Sequence, residues 1–229
     1  MEGFTLSNVQ DESLSPQFKL FWGLSREFTA AHHYEKSEWS EEQNTKVFGP
    51  CFTAKHGHGH NYRIEIWVSA QSQDTDWAKF QLAVQQVAGL LNYKHLPLDA
   101  PAFRDRVPTT ENIAAFLAQA FRQAYGQDAS FLRLDEMSDL AVEIGSRPWD
   151  AKRIERATYD VQLAPEASPR ELTLEIETNA SYEQVADAAI EVLAADCESP
   201  GELAIRLAGR WKAPLSMSDA SGRHFAVCV

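Results

Sequence analysis

Alternating apolar and polar positions predict two strands in the first third of the chain. One lies over Phe18–Phe28 and the other over Tyr62–Ala70. Side chains alternate between the two faces of a strand, so one face of each segment is apolar. The apolar positions are Phe18, Leu20, Trp22, Leu24 and Phe28 in the first segment, and Tyr62, Ile64, Ile66 and Val68 in the second.

Two later segments have the period of an amphipathic helix. Asp76–Leu91 carries a broad apolar stripe, and a second helix begins within the run Pro108-Thr109-Thr110-Glu111-Asn112. Thr109 is the predicted N-cap, and Glu111 lies in the first turn, where the helix dipole favours a carboxylate. The buried face is predicted to hold Ile113, Phe116, Leu117, Ala120 and Phe121.

Strand-like residues return after the second helix. A third strand is predicted over Asp139–Ile144 and a fourth over Arg156–Leu163. The predicted order is therefore strand, strand, helix, helix, strand, strand. Beyond it the pattern predicts a strand over Glu171–Thr178, an amphipathic helix over Tyr182–Ala194 and a short strand over His224–Val229. No internal repeat is evident.

Composition narrows the functional classes. The 229 residues carry a net charge of -12, which weighs against a broad phosphate-contacting surface for nucleic acid and favours a small-molecule partner. The three cysteines are widely spaced and lack a CxxC motif, as in proteins of a reducing cytosol. No apolar run has transmembrane length, and no signal-peptide pattern is present. We expect a cytoplasmic protein that does not contact a membrane.

The run His56-Gly57-His58-Gly59-His60 at the start of the second strand carries the strongest chemical signal. Histidines one residue apart in a strand point to the same face, and imidazole is a favoured zinc ligand. A catalytic zinc site commonly has three protein ligands, and His32, at the end of the first strand segment, is the best candidate for the third. His56 is an alternative ligand, because it lies two residues before His58 and would point to the same face of the strand as His58 and His60. A surface loop rich in His and Gly is the alternative.

Five motifs in order resemble the 6-pyruvoyltetrahydropterin synthase and 6-carboxytetrahydropterin synthase family. They are Phe28-Thr29-Ala30-Ala31-His32, Cys51, His58-Gly59-His60-Asn61-Tyr62, Asp76-Trp77 and Pro108-Thr109-Thr110-Glu111-Asn112. The resemblance covers roughly residues 18–163 and implies an α+β tunnelling fold. In that fold a ββααββ unit forms an antiparallel sheet with two helices on one face, and copies assemble into a barrel, commonly a hexamer of two trimers. Residues 1–17 would be a polar arm and residues 164–229 a C-terminal α/β extension.

The resemblance also implies roles for individual residues. His32, His58 and His60 would bind zinc, which acts as a Lewis acid on an oxygen of a pterin side chain. Cys51 would be the general base, with its pKa lowered by the metal; a buried inert cysteine is the alternative. Thr109, Thr110 and Glu111 would bind the pterin, or could serve only to cap the helix.

Two places depart from the family pattern. The family's Asp-His proton relay is replaced by Asn92-Tyr93, so Tyr93, or His95 two residues on, would have to substitute. The family has a glutamate at the end of its third strand, within the motif Val-x-Val-x-Glu-Thr. When the third strand is placed over Asp139–Ile144, Ile144 occupies the position of that glutamate. Glu143 then lies on the opposite face and could be brought round by a bulge.

The resulting functional hypothesis is a zinc-dependent lyase that acts on the side chain of a dihydropterin such as dihydroneopterin triphosphate. It would be a homo-oligomer, a hexamer or trimer by resemblance. The alternative is a divergent zinc protein without the standard relay, which acts on a different small molecule or serves as a non-catalytic partner subunit.

Overall fold

The computed structural model describes residues 19–70, 76–147, 154–161, 170–178, 200–211, 215–218 and 222–228. The described chain mixes helices with a largely antiparallel sheet, which confirms the predicted α+β class. It divides into two compact units. The first, called the histidine unit, comprises Ser25–Ile66 and Ala78–Ser146. The other, called the second unit, comprises Met1–Leu24, Trp67–Trp77 and Arg147–Val229. The predicted arm over residues 1–17 lies outside the described residues.

The histidine unit is built from two long strands, two long helices and a hairpin. Three of its elements extend into the second unit: β1 (Lys19–His32), β2 (His58–Ser69) and α3 (Trp77–Leu91). The others are α1 (Glu41–Phe48), α2 (Pro50–Thr53), β3 (Lys94–His95), α4 (Leu96–Asp99), α5 (Thr110–Tyr125), β4 (Phe131–Met137) and β5 (Leu140–Gly145). The strand order is β5-β4-β2-β1, and β3 adds a short parallel pairing to β1. The end of β1 and the start of β2 lie in this unit.

The apolar stripes of the strands and helices form the core of the histidine unit. Both long helices lie where the sequence predicts them, and the Thr109 side chain caps α5 by accepting a hydrogen bond from the Asn112 backbone N–H. Phe80 of α3 and Phe121 of α5 are fully buried and meet edge to face, with ring centroids 6.0 Å apart. The other buried apolar residues include Phe28, Tyr62, Ile64, Ile66, Val84, Val87, Leu91, Ile113, Leu117, Leu132 and Leu134.

Strands are present where the sequence predicts them over Asp139–Ile144 and Arg156–Leu163. Strand β4, Phe131–Met137, lies before both and was not predicted, so the places given to them as third and fourth strands are wrong. The error has a physical cause: Glu136 is buried with 7% exposure, so a charged residue occupies a position where the alternating pattern calls for an apolar one. Arg156–Leu163, the predicted fourth strand, corresponds to a strand of the second unit.

The second unit contains four further strands and one described helix. They are β6 (Ile154–Val161), β7 (Arg170–Thr178), α6 (Pro200–Trp211), β8 (Leu215–Ser218) and β9 (Arg223–Cys228). Successive strands pair antiparallel, and β9 pairs antiparallel with Lys19–Leu24 of β1. Strands β7 and β9 confirm the predicted strands in these places, whereas α6 and β8 were not predicted. The predicted helix over Tyr182–Ala194 lies outside the described residues. Among the helices that are described, none combines the length and apolar character needed to cross a membrane.

Candidate metal centre

Three histidines from two neighbouring strands meet inside the histidine unit. His32 ends β1, and His58 and His60 begin β2. One ring nitrogen from each of the three lies within 4.8 Å of the others, and the Nε2 atoms of His32 and His58 are 3.0 Å apart. His56, the rival ligand, is exposed and does not belong to this group. The cluster therefore consists of the three histidines that the resemblance implies.

Gly57 allows the start of β2 to approach the end of β1. Its φ of +71° lies in the left-handed region, which side chains other than glycine rarely tolerate. A Cβ atom at this position would lie 2.3 Å from the His32 carbonyl oxygen and 3.0 Å from Nε2 of His95. The glycine between His56 and His58 thus has a local structural role: it permits the backbone approach that brings His58 to His32.

Tyr62 connects the histidine cluster to a buried glutamate. Its hydroxyl oxygen lies 3.1 Å from Nδ1 of His32 and 3.5 Å from Oε2 of Glu136. A histidine that binds metal through Nε2 carries its proton on Nδ1. With a metal held on Nε2, His32 would donate to the Tyr62 oxygen and the Tyr62 hydroxyl would donate to Glu136. Such outer hydrogen bonds fix the orientation of a ligand ring.

Glu136 is the site residue that the sequence analysis missed. Its Oε1 lies 3.4 Å from Nε2 of His60 and 4.0 Å from Nε2 of His32, and its Oε2 accepts a 2.5 Å hydrogen bond from the Thr110 hydroxyl. The run Leu132-Arg133-Leu134-Asp135-Glu136 has the apolar-x-apolar-x-Glu pattern that was sought one strand later. Pattern matching against this run would have found it.

Glu143 and Ile144, considered earlier for the same role, lie elsewhere. Glu143 is exposed on β5, and its Oε1 accepts a 2.8 Å hydrogen bond from the Arg133 guanidinium. Ile144 is 37% exposed. Glu136, rather than Glu143 or Ile144, is therefore the residue of this hairpin that lies beside the histidine cluster.

The cluster favours neutral imidazoles, which are the form that binds metal. Burial, followed by the neighbouring His58 and His60, lowers the pKa of His32 to about 3. Burial and then His60 also lower the pKa of His58. Nε2 of His60 is buried without a hydrogen-bond partner. Three imidazoles, one with an unsatisfied buried nitrogen, fit the donor set of a zinc ion.

The segment that holds this site is similar to known proteins. Residues 24–146 match the model of the family described as 6-pyruvoyl tetrahydropterin synthase, which is more than half of the chain. The chain belongs to the 6-pyruvoyl tetrahydropterin synthase family. All three histidines, Cys51 and Glu136 lie inside the matched segment.

Individual relatives match a shorter part of the chain. The 6-pyruvoyl tetrahydrobiopterin synthase of Homo sapiens is 33% identical over 96 residues, which is 39% of this chain and 66% of the human protein. That of Drosophila melanogaster is 31% identical over 110 residues, 45% of this chain and 65% of the fly protein. The chain therefore spans just under two thirds of these relatives. The Caenorhabditis elegans 6-pyruvoyl tetrahydropterin synthase structure has a TM-score of 0.51 at 20% identity, over 56% of this chain and 96% of that chain, and shows the shared fold.

Cys51, which resembles the catalytic cysteine of the 6-pyruvoyl tetrahydropterin synthase family, lies in the short helix α2. It is partly buried, and its backbone carbonyl accepts a 3.0 Å hydrogen bond from the Tyr34 N–H. Burial and then the nearby Glu136 raise the pKa of its thiol. The surrounding protein thus disfavours the thiolate, so the lowered pKa that a general base requires would have to come from a bound cation.

The three residues at the start of α5 have different environments. The Thr109 hydroxyl is used as the helix cap, and the Thr110 hydroxyl is bonded to Glu136. Glu111 is exposed. Thr110 is therefore the member of this trio that the structure brings into the histidine and glutamate site.

The turn that replaces the family's Asp-His pair is held by the backbone of β1. The Asn92 side-chain oxygen accepts from the Thr29 N–H at 2.9 Å, and the Tyr93 N–H donates to the Thr29 carbonyl at 2.6 Å. Tyr93 has a φ of 58° and a side chain that is 86% exposed. In contrast, Nδ1 of His95 is buried without a hydrogen-bond partner. Of the two candidate substitutes, His95 is the one that lies beside Gly57 and the cluster.

Proposed function

We propose that this protein is a zinc-dependent lyase of the 6-pyruvoyl/6-carboxytetrahydropterin synthase type, which acts on the side chain of a dihydropterin. The observation that carries the proposal is the cluster of His32, His58 and His60 with the buried Glu136 beside it. Zinc held by these imidazoles would supply Lewis acidity to an oxygen of the substrate side chain. The names of the curated relatives support the same substrate class.

Glu136 is proposed to anchor the pterin ring. An ionised carboxylate can accept two parallel N–H bonds from the guanidine-like edge of a pterin. Thr110 and Tyr62 hold the carboxylate from one side through its Oε2 atom, which fixes its orientation. Burial strengthens this recognition because water competes poorly for the same hydrogen bonds. In this proposal Thr109 and Glu111 help to bind the pterin from the start of α5. Thr110 helps indirectly, because its hydroxyl holds the Glu136 carboxylate in place.

A cavity of about 590 Å³ lies next to the site, and its lining includes His33, which follows His32, and Thr109. Three cations line it, Lys36, Arg104 and Arg106, together with three carboxylates, Glu35, Glu38 and Asp105. Lys36 forms an ion pair with Glu38 at 3.6 Å. We propose that the outer end of the substrate side chain occupies this cavity, where Arg104 and Arg106 could pair with an anionic group such as a phosphate.

Cys51 is proposed as the proton acceptor. Its Sγ atom would take a proton from a carbon of the substrate side chain, as a general base does. The pKa of the thiol is raised by burial and by Glu136 in the protein alone, so this role depends on a cation in the neighbouring histidine cluster.

A turnover assay tests the proposed reaction. The zinc-loaded protein is incubated with 7,8-dihydroneopterin triphosphate, and the products are followed by mass spectrometry. We expect turnover in the wild-type protein and a decrease in kcat of about 100- to 10,000-fold in Cys51→Ala, the range typical of a lost general base. An unchanged substrate, with zinc bound at one ion per chain, would contradict the lyase.

A second candidate function rests on the turn at Asn92 and Tyr93. Neither residue supplies a histidine, and the Tyr93 side chain is 86% exposed. A chain without the standard relay could act on a different small molecule, or serve as a non-catalytic partner subunit. This candidate predicts zinc binding without turnover of the dihydropterin.

A pair of substitutions separates the two possible replacements for the relay. We propose that His95 exchanges protons with the substrate, because its buried Nδ1 has no partner and its ring lies beside Gly57. His95→Gln is expected to lower kcat about 100-fold, as loss of a proton-transfer group does. The matched control, Tyr93→Phe, removes only an exposed hydroxyl and should leave kcat unchanged. The reverse pattern would assign the role to Tyr93.

A further inference from the structure

Tyr34 lies between the histidine cluster and the short helix that carries Cys51. Its ring centroid is 4.8 Å from that of His32 and 5.8 Å from that of Phe48. Its backbone N–H donates a 3.0 Å hydrogen bond to the Cys51 carbonyl. These contacts fix the tyrosine where the end of β1 meets α2. The motifs that carry the family resemblance do not include it.

The hydroxyl group of Tyr34 lies close to groups that the proposed function uses. Burial, followed by Glu136, Cys51 and Glu111, raises the pKa of this hydroxyl. These three are the proposed pterin anchor, the proposed base and a residue at the start of α5. The hydroxyl is therefore within electrostatic reach of the parts of the site that would surround a substrate.

This hydroxyl has no hydrogen-bond partner within the described part of the chain. The neighbouring hydroxyls of Tyr62 and Thr110 are both bonded to Glu136. The side chain of Tyr34 is half-buried, and a tyrosine in such a position usually bonds its hydroxyl to something. Its oxygen is still accessible, unlike Nε2 of His60, which is unpartnered and closed off from solvent. A ligand in the site can therefore reach it.

The Tyr34 hydroxyl is suited to donate a hydrogen bond without losing its proton. The reference pKa of tyrosine is about 10, well above neutral pH, and the surroundings of Tyr34 raise the pKa further. The carboxylates of Glu136 and Glu111 oppose a phenolate beside them. The hydroxyl thus stays neutral and takes no part in proton exchange.

We propose that the Tyr34 hydroxyl donates a hydrogen bond to an oxygen of the substrate side chain, beside the carbon from which Cys51 removes a proton. This inference rests on the proposed lyase function. A dihydropterin anchored at Glu136 would extend its side chain towards the thiol of Cys51, and the hydroxyl is close to both. Oxygen atoms are the acceptors that such a side chain offers to a donor.

The proposed hydrogen bond should contribute more to the reaction than to binding. When the Cys51 thiolate takes the proton, the electron pair of the broken C–H bond stays on the substrate, which gains negative charge. A donor placed beside that charge stabilises the transition state more than the bound substrate. Tyr34→Phe is therefore expected to lower kcat/KM for 7,8-dihydroneopterin triphosphate about 10- to 100-fold, as loss of a bond to a charged group does.

Binding of two unreactive pterins to the zinc-loaded protein tests the contact. Neopterin carries side-chain oxygens, whereas 6-methylpterin has the same ring without them. In Tyr34→Phe, calorimetry should show a Kd for neopterin that is raised about 3- to 10-fold, the effect of losing a neutral hydrogen bond, and an unchanged Kd for 6-methylpterin. Phenylalanine keeps the ring contacts with His32 and Phe48, so zinc affinity should stay within about threefold of the wild type.

Tyr125→Phe is the matched control. It removes the same hydroxyl from the last residue of α5, about 22 Å along the helix from Thr110. Neither Kd should change in this variant, and kcat/KM should equal that of the wild type.

Three results for Tyr34→Phe would overturn the proposal. They are an unchanged Kd for neopterin, equal losses for neopterin and 6-methylpterin, and a loss of zinc, which would assign the tyrosine a structural role. Failure of the proposed lyase looks different. If the wild-type protein binds neopterin but does not turn over the dihydropterin, the lyase is contradicted and the two Kd values still decide the role of Tyr34. If it binds neither pterin, both proposals are overturned.

Discussion

His58→Ala is expected to lower zinc affinity about 60- to 700-fold, because the roughly 10–16 kcal/mol typical of four-coordinate zinc sites corresponds to about 2.5–4 kcal/mol per ligand. His58 is chosen because its Nε2 lies 3.0 Å from that of His32, at the centre of the cluster. Competition with a chromogenic chelator at neutral pH measures the affinity. Turnover at sub-saturating zinc should fall in the same proportion.

The control lies two residues away in the same motif. His56 has the same parity in the strand as His58, but it is exposed and outside the cluster. His56→Ala should therefore leave zinc affinity within about threefold of the wild type, the change expected for an exposed residue that contacts no ligand. Equal losses in both variants would mean that the histidines bind zinc as a flexible surface loop, which is the alternative that the sequence leaves open.

The elements with an uninterrupted period were predictable from the sequence. Helices α3 and α5 bury the stripes that their 3.6-residue period predicts, and Thr109 caps α5 as its position before the apolar run suggests. The first two strands were predictable from the alternation of apolar and polar residues alone. In these elements local pattern and tertiary burial agree, so the pattern is sufficient.

The errors occur where function breaks the pattern. Strand β4 was missed because Glu136 occupies a buried position, and a carboxylate is buried only where partners such as Thr110 and Tyr62 satisfy it. Those partners come from α5 and β2, far away in sequence. No local rule could supply these partners, so the burial of Glu136 could not be predicted from its neighbours in the sequence.

Glu136→Gln is the second substitution with a large expected effect. Glutamine keeps the length of the side chain and one oxygen for the Thr110 hydroxyl, but it replaces the other oxygen with an N–H donor and removes the charge. Hydrogen bonds to charged groups contribute about 1.5–3 kcal/mol each, so loss of the paired bonds to a pterin should raise KM at least about 100-fold. Steady-state kinetics with 7,8-dihydroneopterin triphosphate measure the change.

Glu143→Gln is the matched control on the neighbouring strand. Glu143 is exposed and forms an ion pair with Arg133, so the same chemical change there should leave KM unchanged. A rise in KM for Glu143→Gln similar to that for Glu136→Gln would indicate a general effect on the β4–β5 hairpin rather than loss of an anchor.

Zinc content distinguishes an anchor from a ligand. Oε1 of Glu136 lies 3.4 Å from Nε2 of His60, close enough for the carboxylate to influence the cluster. If Glu136 binds the pterin, the Glu136→Gln variant should still bind zinc. Its zinc affinity should fall by at most about 10- to 100-fold, the effect of losing a hydrogen bond to a ligand. If the variant instead loses zinc and activity together, as His58→Ala should, then Glu136 is part of the metal site and the substrate anchor lies elsewhere. The KM and the zinc affinity of this variant therefore decide whether the buried Glu136 carboxylate binds the pterin or the metal.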